Sequence, residues 1–144
     1  MGLSNQEITE TILSGKTGAF AGVVFAAVAS DERITDKELN YLRIILSRMR
    51  LFEGWSDSQY QSLFDKLNDI LKKQGFDTLL EKSIGALAPK LYQTVFAISV
   101  DLVLADGIVT REEKDFLYDL QQKLGMETDL ATRIIEVIII KNRG

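Results

Sequence analysis

The sequence predicts an all-α, single-domain bundle of about seven to eight helices. At four predicted helix starts, a Ser or Thr stands three residues before a Glu or Gln, which is the capping-box pattern that begins helices. After these boxes, apolar residues recur with the 3.6-residue period of a helix. The sequence has no Asn-Gly dipeptide and no long alternation of polar and apolar residues, so strands are not expected. Its 144 residues are enough for one domain with a hydrophobic core, which we place at residues 1–144.

The predicted helix boundaries come from caps, staples and glycines. The four boxes pair Ser4 with Glu7, Thr35 with Glu38, Ser56 with Gln59, and Thr110 with Glu113. Hydrophobic staples are expected between Leu3 and Ile8, Ile34 and Leu39, and Trp55 and Tyr60. Glycines that can end a helix stand at positions 15, 75, 107 and 125, and Gly15 is expected to do so in the left-handed conformation.

Two long apolar segments are expected inside the bundle. Residues 19–29 contain no polar side chain, and a helix that is apolar on every face is normally buried. Gly22 would let a neighbouring helix come close. Residues 92–105 mirror this segment but include Asp101. Either Asp101 faces the helix edge or pairs with a nearby Lys, Arg or helix N-terminus, or it contributes to a polar pocket with Asp106. The isoleucine-rich helix at residues 127–141 is expected to dock on the core, or to meet another subunit at its end.

The composition excludes several classes of function. There is no Cys and no His, so disulfides, thiolate sites, histidine-based zinc sites and histidine triads are ruled out. The net charge is −4 without a basic cluster, which argues against nucleic acid as a partner. The longest apolar run, 11 residues, is shorter than the ~20 of a spanning helix. The polar start does not resemble a secretory signal, so we expect a cytoplasmic protein without a transmembrane segment.

One pattern occurs twice in the chain. The segment from Val28 to Glu38 is repeated without a gap 75 residues later, from Val103 to Glu113, with Val, Asp, Thr and Glu at the same places. In each copy an apolar run ends near an Asp, and a charged helix begins a few residues later. We therefore predict an internal pseudo-repeat with halves at residues 16–50 and 91–125.

The downstream copy resembles a known family. Ala105-Asp106-Gly107, followed by the acidic pair at residues 112–113, is similar to the signature of TerB-like tellurite-resistance domains, which also occurs in DjlA-type co-chaperones. The resemblance implies a non-catalytic helical domain in the stress or tellurite response that binds a divalent cation through carboxylates. Carried over by position, the candidate metal ligands are Asp31, Glu38, Asp106, Glu112 and Glu113. The upstream copy departs from the signature, because Ser30-Asp31-Glu32 replaces Ala-Asp-Gly.

The residues themselves leave two interpretations of these acids open. Glu38 and Glu113 are already explained as members of capping boxes, and Asp at a loop entry commonly accepts backbone N–H groups. If a cation binds, it is a hard ion such as Ca²⁺ or Mg²⁺, since only oxygen ligands are present. A true EF-hand is excluded because Leu102 and Leu104 stand where that loop needs oxygen ligands.

Two functional hypotheses follow. The first is a TerB-like module that presents acidic loop ends to a cation or a partner. The second is a scaffold domain of a chaperone- or stress-related assembly, with the acids acting only as caps. Trp55 is either a staple or an anchor for a protein partner of unknown identity, and the chain is expected to be a monomer or a homodimer. No nucleophile motif or cofactor fingerprint supports an enzyme.

Overall fold

The computed structural model describes residues 2, 4–29, 34–105 and 107–143. This part of the chain contains eight α-helices, two short 3-10 turns and no strand, which confirms the all-α prediction. The helices are α1 (Asn5–Leu13), α2 (Lys16–Val28), α3 (Asp36–Ser47), α4 (Asp57–Gln74), α5 (Phe76–Ala86), α6 (Tyr92–Val103), α7 (Arg111–Lys123) and α8 (Thr128–Lys141). The 3-10 turns, Arg50–Phe52 and Pro89–Leu91, precede α4 and α6.

All four predicted capping boxes are confirmed at the starts of α1, α3, α4 and α7. In each box the cap hydroxyl accepts the backbone N–H of the third helical residue, whose side chain accepts the N–H of the cap residue. Such a cap is worth ~1 kcal/mol. The staple before α4 also forms, with the rings of Trp55 and Tyr60 5.4 Å apart. Leu3, predicted as the staple of α1, lies outside the described residues.

Two of the four predicted glycines end helices. Gly75 is the C-cap residue of α4, with a φ of +92°, and Gly125 follows the C-cap of α7 with a φ of +64°. Gly107 also has a positive φ, +76°, but the prediction that it ends α6 was wrong, because that helix already ends at Val103. The prediction for Gly15 was wrong, because its φ is −88° and its backbone is extended. Gly15 instead precedes the first residue of α2, and an extended conformation is what a helix N-cap requires. The chain turns through 105° between α1 and α2.

Helix α2 lies at the centre of the core. Ten of its 13 residues are buried, which confirms the prediction from its apolar sequence. It packs chiefly against α5 and α6, while α1, α3 and α4 contact its other sides. Gly22 lies against Ser83 of α5 so closely that an added Cβ would be 2.1 Å from the Ser83 hydroxyl oxygen. The α2–α5 contact therefore depends on the missing side chain at position 22.

The helix boundaries agree with the repeat found in the sequence. Shifted by 75 residues, α2 and α3 would span 91–103 and 111–122, within one residue of the observed α6 and α7. Both second helices begin with a Thr/Glu capping box, and each packs against the helix before it. A common three-dimensional arrangement of residues 16–50 and 91–125 stays a prediction.

Within the described ranges, no single helix combines the length and apolar character needed to cross a membrane. The helices α1 and α2 reach that length only when taken together, across the 105° bend between them.

Candidate functional site

The acidic residue at the start of α3 is held by its own helix cap. The Oε1 atom of Glu38 accepts the backbone N–H of Thr35 at 3.1 Å and the Thr35 hydroxyl at 3.0 Å. In return, the Thr35 hydroxyl oxygen accepts the N–H of Glu38 at 3.1 Å. Glu38 is half-buried in this position. Its carboxylate is therefore oriented by the cap.

The start of α7 repeats this geometry. Glu113 Oε1 accepts the N–H of Thr110 at 2.9 Å, and Thr110 Oγ1 accepts the N–H of Glu113 at 3.1 Å. Its neighbour Glu112 is exposed. The other two candidate ligands, Asp31 and Asp106, lie outside the described residues. Across residues 2, 4–29, 34–105 and 107–143, no three acidic side chains are grouped in a way that could hold a metal ion.

The cap of α4 shows which property the boxes need. There the third helical residue is Gln59, and its neutral side-chain oxygen accepts the N–H of Ser56 at 2.8 Å. An uncharged oxygen thus completes the same box that Glu38 and Glu113 complete elsewhere. Capping alone accounts for the observed position of both carboxylates, and a negative charge adds only a favourable interaction with the helix N-terminus.

Asp101 is paired across the bundle, which confirms the predicted pairing of this residue with a nearby lysine. The Nζ atom of Lys141, at the end of α8, donates to Asp101 Oδ1 at 3.1 Å. The Asp101 side chain is only 13% exposed, so its charge needs a partner. The ion pair attaches the C-terminal turn of α8 to α6. The alternative pocket with Asp106 lies outside the described residues.

Helix α8 docks on the core with its inner face and leaves its outer face in solvent. Ala131 is fully buried, and Ile134, Ile135 and Ile138 pack partly buried against the core. In contrast, Val137 is 61% exposed and Ile140 is 62% exposed. The prediction that this isoleucine-rich helix is docked is therefore right for one face only, because its aliphatic residues surround more of the helix than α6 can cover.

Trp55 fills a staple position. Its ring packs edge-on against Phe52 at 5.1 Å and beside Tyr60 at 5.4 Å, which confirms the staple interpretation. Part of the indole also lines a shallow, open groove of about 460 Å³ between α1 and α4. The other lining residues near it include Ser58, Ser62 and Lys66.

A second recess, of about 340 Å³, lies between α3 and α4. Arg43 of α3 and Asp57 of α4 form an ion pair there, with Arg43 Nη1 2.9 Å from Asp57 Oδ1. Tyr60 lines the same recess. Sequence reasoning missed this site, because the pair joins the middle of one helix to the first turn of the next. One signal was available in the sequence, namely Tyr60 in the apolar stripe of α4. A phenylalanine would pack equally well there, so the hydroxyl group of Tyr60 could have indicated a polar site.

Comparisons of the chain with family models, with curated proteins and with solved structures give no match.

Proposed function

We propose that this protein is a non-catalytic helical binding module that docks a protein partner, in the stress or tellurite response that the TerB resemblance implies. The observation that carries the proposal is that two of the candidate acidic ligands are already bonded within the protein, whereas several large aliphatic side chains are exposed. Glu38 and Glu113 complete capping boxes, whereas α8 holds large aliphatic side chains in solvent. In this protein the acids would serve the fold, and binding would depend on an exposed surface.

The outer face of α8 is suited to docking. Val137 and Ile140 are each more than three-fifths exposed, and Ile139 beside them is 43% exposed. Adjacent aliphatic residues that remain in water are typical of surfaces that bind other proteins. The ion pair between Lys141 and Asp101 attaches this turn to α6, so the three side chains are presented on a docked helix. A preformed surface loses less conformational entropy on binding.

The double variant Val137→Gln/Ile140→Gln tests the docking proposal. Both residues are exposed, and glutamine favours a helix, so the free energy of unfolding should stay within ~0.5 kcal/mol of the wild type. Affinity capture after cross-linking in the source cells should recover a partner with the wild type and lose it with the variant. Thr132→Gln, at another exposed position of α8, is the matched control and should retain the partner. Equal capture by all three proteins would contradict docking through α8.

A second candidate function is binding of Ca²⁺ or Mg²⁺ through the acidic loop ends. Its support is that Glu38 and Glu113 occupy the same position in the repeated unit, and that Glu112 is exposed beside the second. Only oxygen ligands are available, which suits these two ions. The two candidates differ in how the stability of the protein should respond to the ions, because a ligand of the folded state raises the free energy of unfolding.

A further inference from the structure

The recess between α3 and α4 is lined by polar groups above an apolar floor. Asp36, Asn40 and Arg43 line it from α3, at a spacing that places them on one face of that helix. Asp57 and Gln61 line it from α4, and the rings of Tyr60 and Phe64 belong to the same wall. Its volume, about 340 Å³, is at the lower end of the range for small-molecule sites.

Tyr60 carries a hydroxyl group that the packing of the core does not need. Its side chain is 2% exposed, and its ring lies 5.8 Å from Phe52 and 6.2 Å from Phe64. The hydroxyl is buried and has no hydrogen-bond partner among the described residues. A buried hydroxyl without a partner costs free energy that a phenylalanine in the same place would not. Burial raises the pKa of Tyr60; the charge of Arg43 lowers it by a smaller amount, and that of Asp57 raises it slightly.

Arg43 already holds a carboxylate that a ligand could replace. Its Nη1 donates to Asp57 Oδ1 at 2.9 Å and its Nη2 donates to Asn40 Oδ1 at 2.6 Å. A guanidinium group has five N–H donors in one plane, in a fork that matches a carboxylate. The Asp57 side chain is 88% exposed, so it contacts Arg43 from the solvent side. If displaced, Asp57 still lies in the first turn of α4, where the helix N-terminus favours its charge.

We infer that this recess binds a small carboxylate ligand, which replaces Asp57 on Arg43 and accepts the hydroxyl proton of Tyr60 in a hydrogen bond. Three of the lining residues offer donors: the guanidinium of Arg43, the phenol of Tyr60 and the amide NH₂ of Asn40, whose oxygen is already used by Arg43. A carboxylate is the planar acceptor that such donors fit. The negative charge of Asp36 at the rim favours a single carboxylate over a polyanion. The site is separate from the outer face of α8, so it goes beyond the proposed docking function.

Titration with sodium acetate at constant ionic strength tests this inference. The NMR signals of the Arg43 side-chain N–H and of the Tyr60 ring are recorded at each acetate concentration. The expected result is a saturable shift of both signals. Asp57→Asn removes the competing carboxylate and should bind acetate about threefold more tightly or better. Arg43→Gln should abolish binding, and Tyr60→Phe should weaken it about tenfold. Asp69→Asn is the matched control, since Asp69 is an exposed residue of α4 that pairs with Lys73, and it should behave as the wild type.

A second titration identifies the source of the carboxylate. Trialanine with a free C-terminus is compared with the same peptide amidated, and binding of the free form more tightly than acetate would assign a peptide C-terminus. Binding no tighter than acetate would assign a free small acid. The absence of saturable shifts for both acetate and free trialanine, in the wild type and in Asp57→Asn, would overturn the inference.

The stability of Tyr60→Phe provides a test that needs no ligand. Because the hydroxyl makes no hydrogen bond to the described residues, its removal should leave the melting temperature unchanged or raise it. A lower melting temperature would mean that the hydroxyl is bonded within the protein, and the inference would then be wrong. None of these three experiments involves α8, so failure here is distinguishable from failure of the docking proposal.

Discussion

Replacing Gly18 by alanine is expected to destabilise the protein by about 3 kcal/mol or more, the largest effect of alanine at any of the described glycines. A Cβ at this position would lie 2.0 Å from the carbonyl oxygen of Ile12 and 3.1 Å from its carbonyl carbon. These atoms belong to the backbone of the last turn of α1, so no side-chain rotation can relieve the overlap. The two helices would have to separate at the 105° corner, which would expose part of α2.

Urea unfolding of Gly18→Ala and of a matched variant, Gly85→Ala, would measure this effect. Gly85 lies in α5 with no atom within 4 Å of an added Cβ. There alanine should stabilise the protein by roughly 0.5–1 kcal/mol, because glycine loses more backbone entropy in a helix. Equal stability of Gly18→Ala and the wild type would show that α1 and α2 do not meet as described.

The second-largest effect is expected for Gly22→Ala, which should cost about 1–3 kcal/mol. The added Cβ would lie 2.1 Å from Ser83 Oγ and 3.0 Å from Ser83 Cβ, between the two most closely packed helices of the core. Here the first clash is with a side chain, so the cost is smaller than at Gly18. Ser83 is buried, and its hydroxyl has no hydrogen-bond partner within the described part of the chain.

A double-mutant cycle with Ser83→Ala tests the cause of this loss. The single variant Ser83→Ala should be as stable as the wild type or slightly more stable, since it removes a buried, unpaired hydroxyl. The double variant should recover at least ~1 kcal/mol of the loss caused by Gly22→Ala, because the closest contact is gone. If the change in the free energy of unfolding of the double variant equals the sum of the changes of the two single variants, the α2–α5 contact is contradicted.

Local patterns in the sequence predicted most of the helix boundaries. The box of Thr110 with Glu113 involves residues three positions apart, so its geometry depends on little beyond the helix it begins. The burial of α2 followed from a segment without polar side chains, whose only stable position is inside a bundle. Gly15 was misassigned because a glycine between two helices can end the first or precede the second. Here it precedes the second, since α2 begins at the next residue, Lys16.

Features that depend on contacts between distant helices could not be predicted. The pair of Arg43 with Asp57 and the pair of Asp101 with Lys141 need the packing of two helices, which a single sequence does not specify. The isoleucine-rich α8 was expected to dock on the core or to meet another subunit at its end, but the sequence did not show that the described bundle covers only one of its sides. Of the five candidate ligands, the structure describes Glu38, Glu112 and Glu113, and two of these serve as caps.

The double variant Glu38→Gln/Glu113→Gln, unfolded with and without millimolar Ca²⁺ or Mg²⁺, tests most directly whether these acids serve the fold. Glutamine keeps the capping oxygen, as Gln59 does in α4, but lacks the charge that a hard cation needs. We predict a loss of less than about 1 kcal/mol per site from the helix N-terminus, and no effect of either ion on the wild type or the variant. Stabilisation of the wild type by ~2.7 kcal/mol at an ion concentration of 100 times Kd, abolished in the variant, would contradict the account.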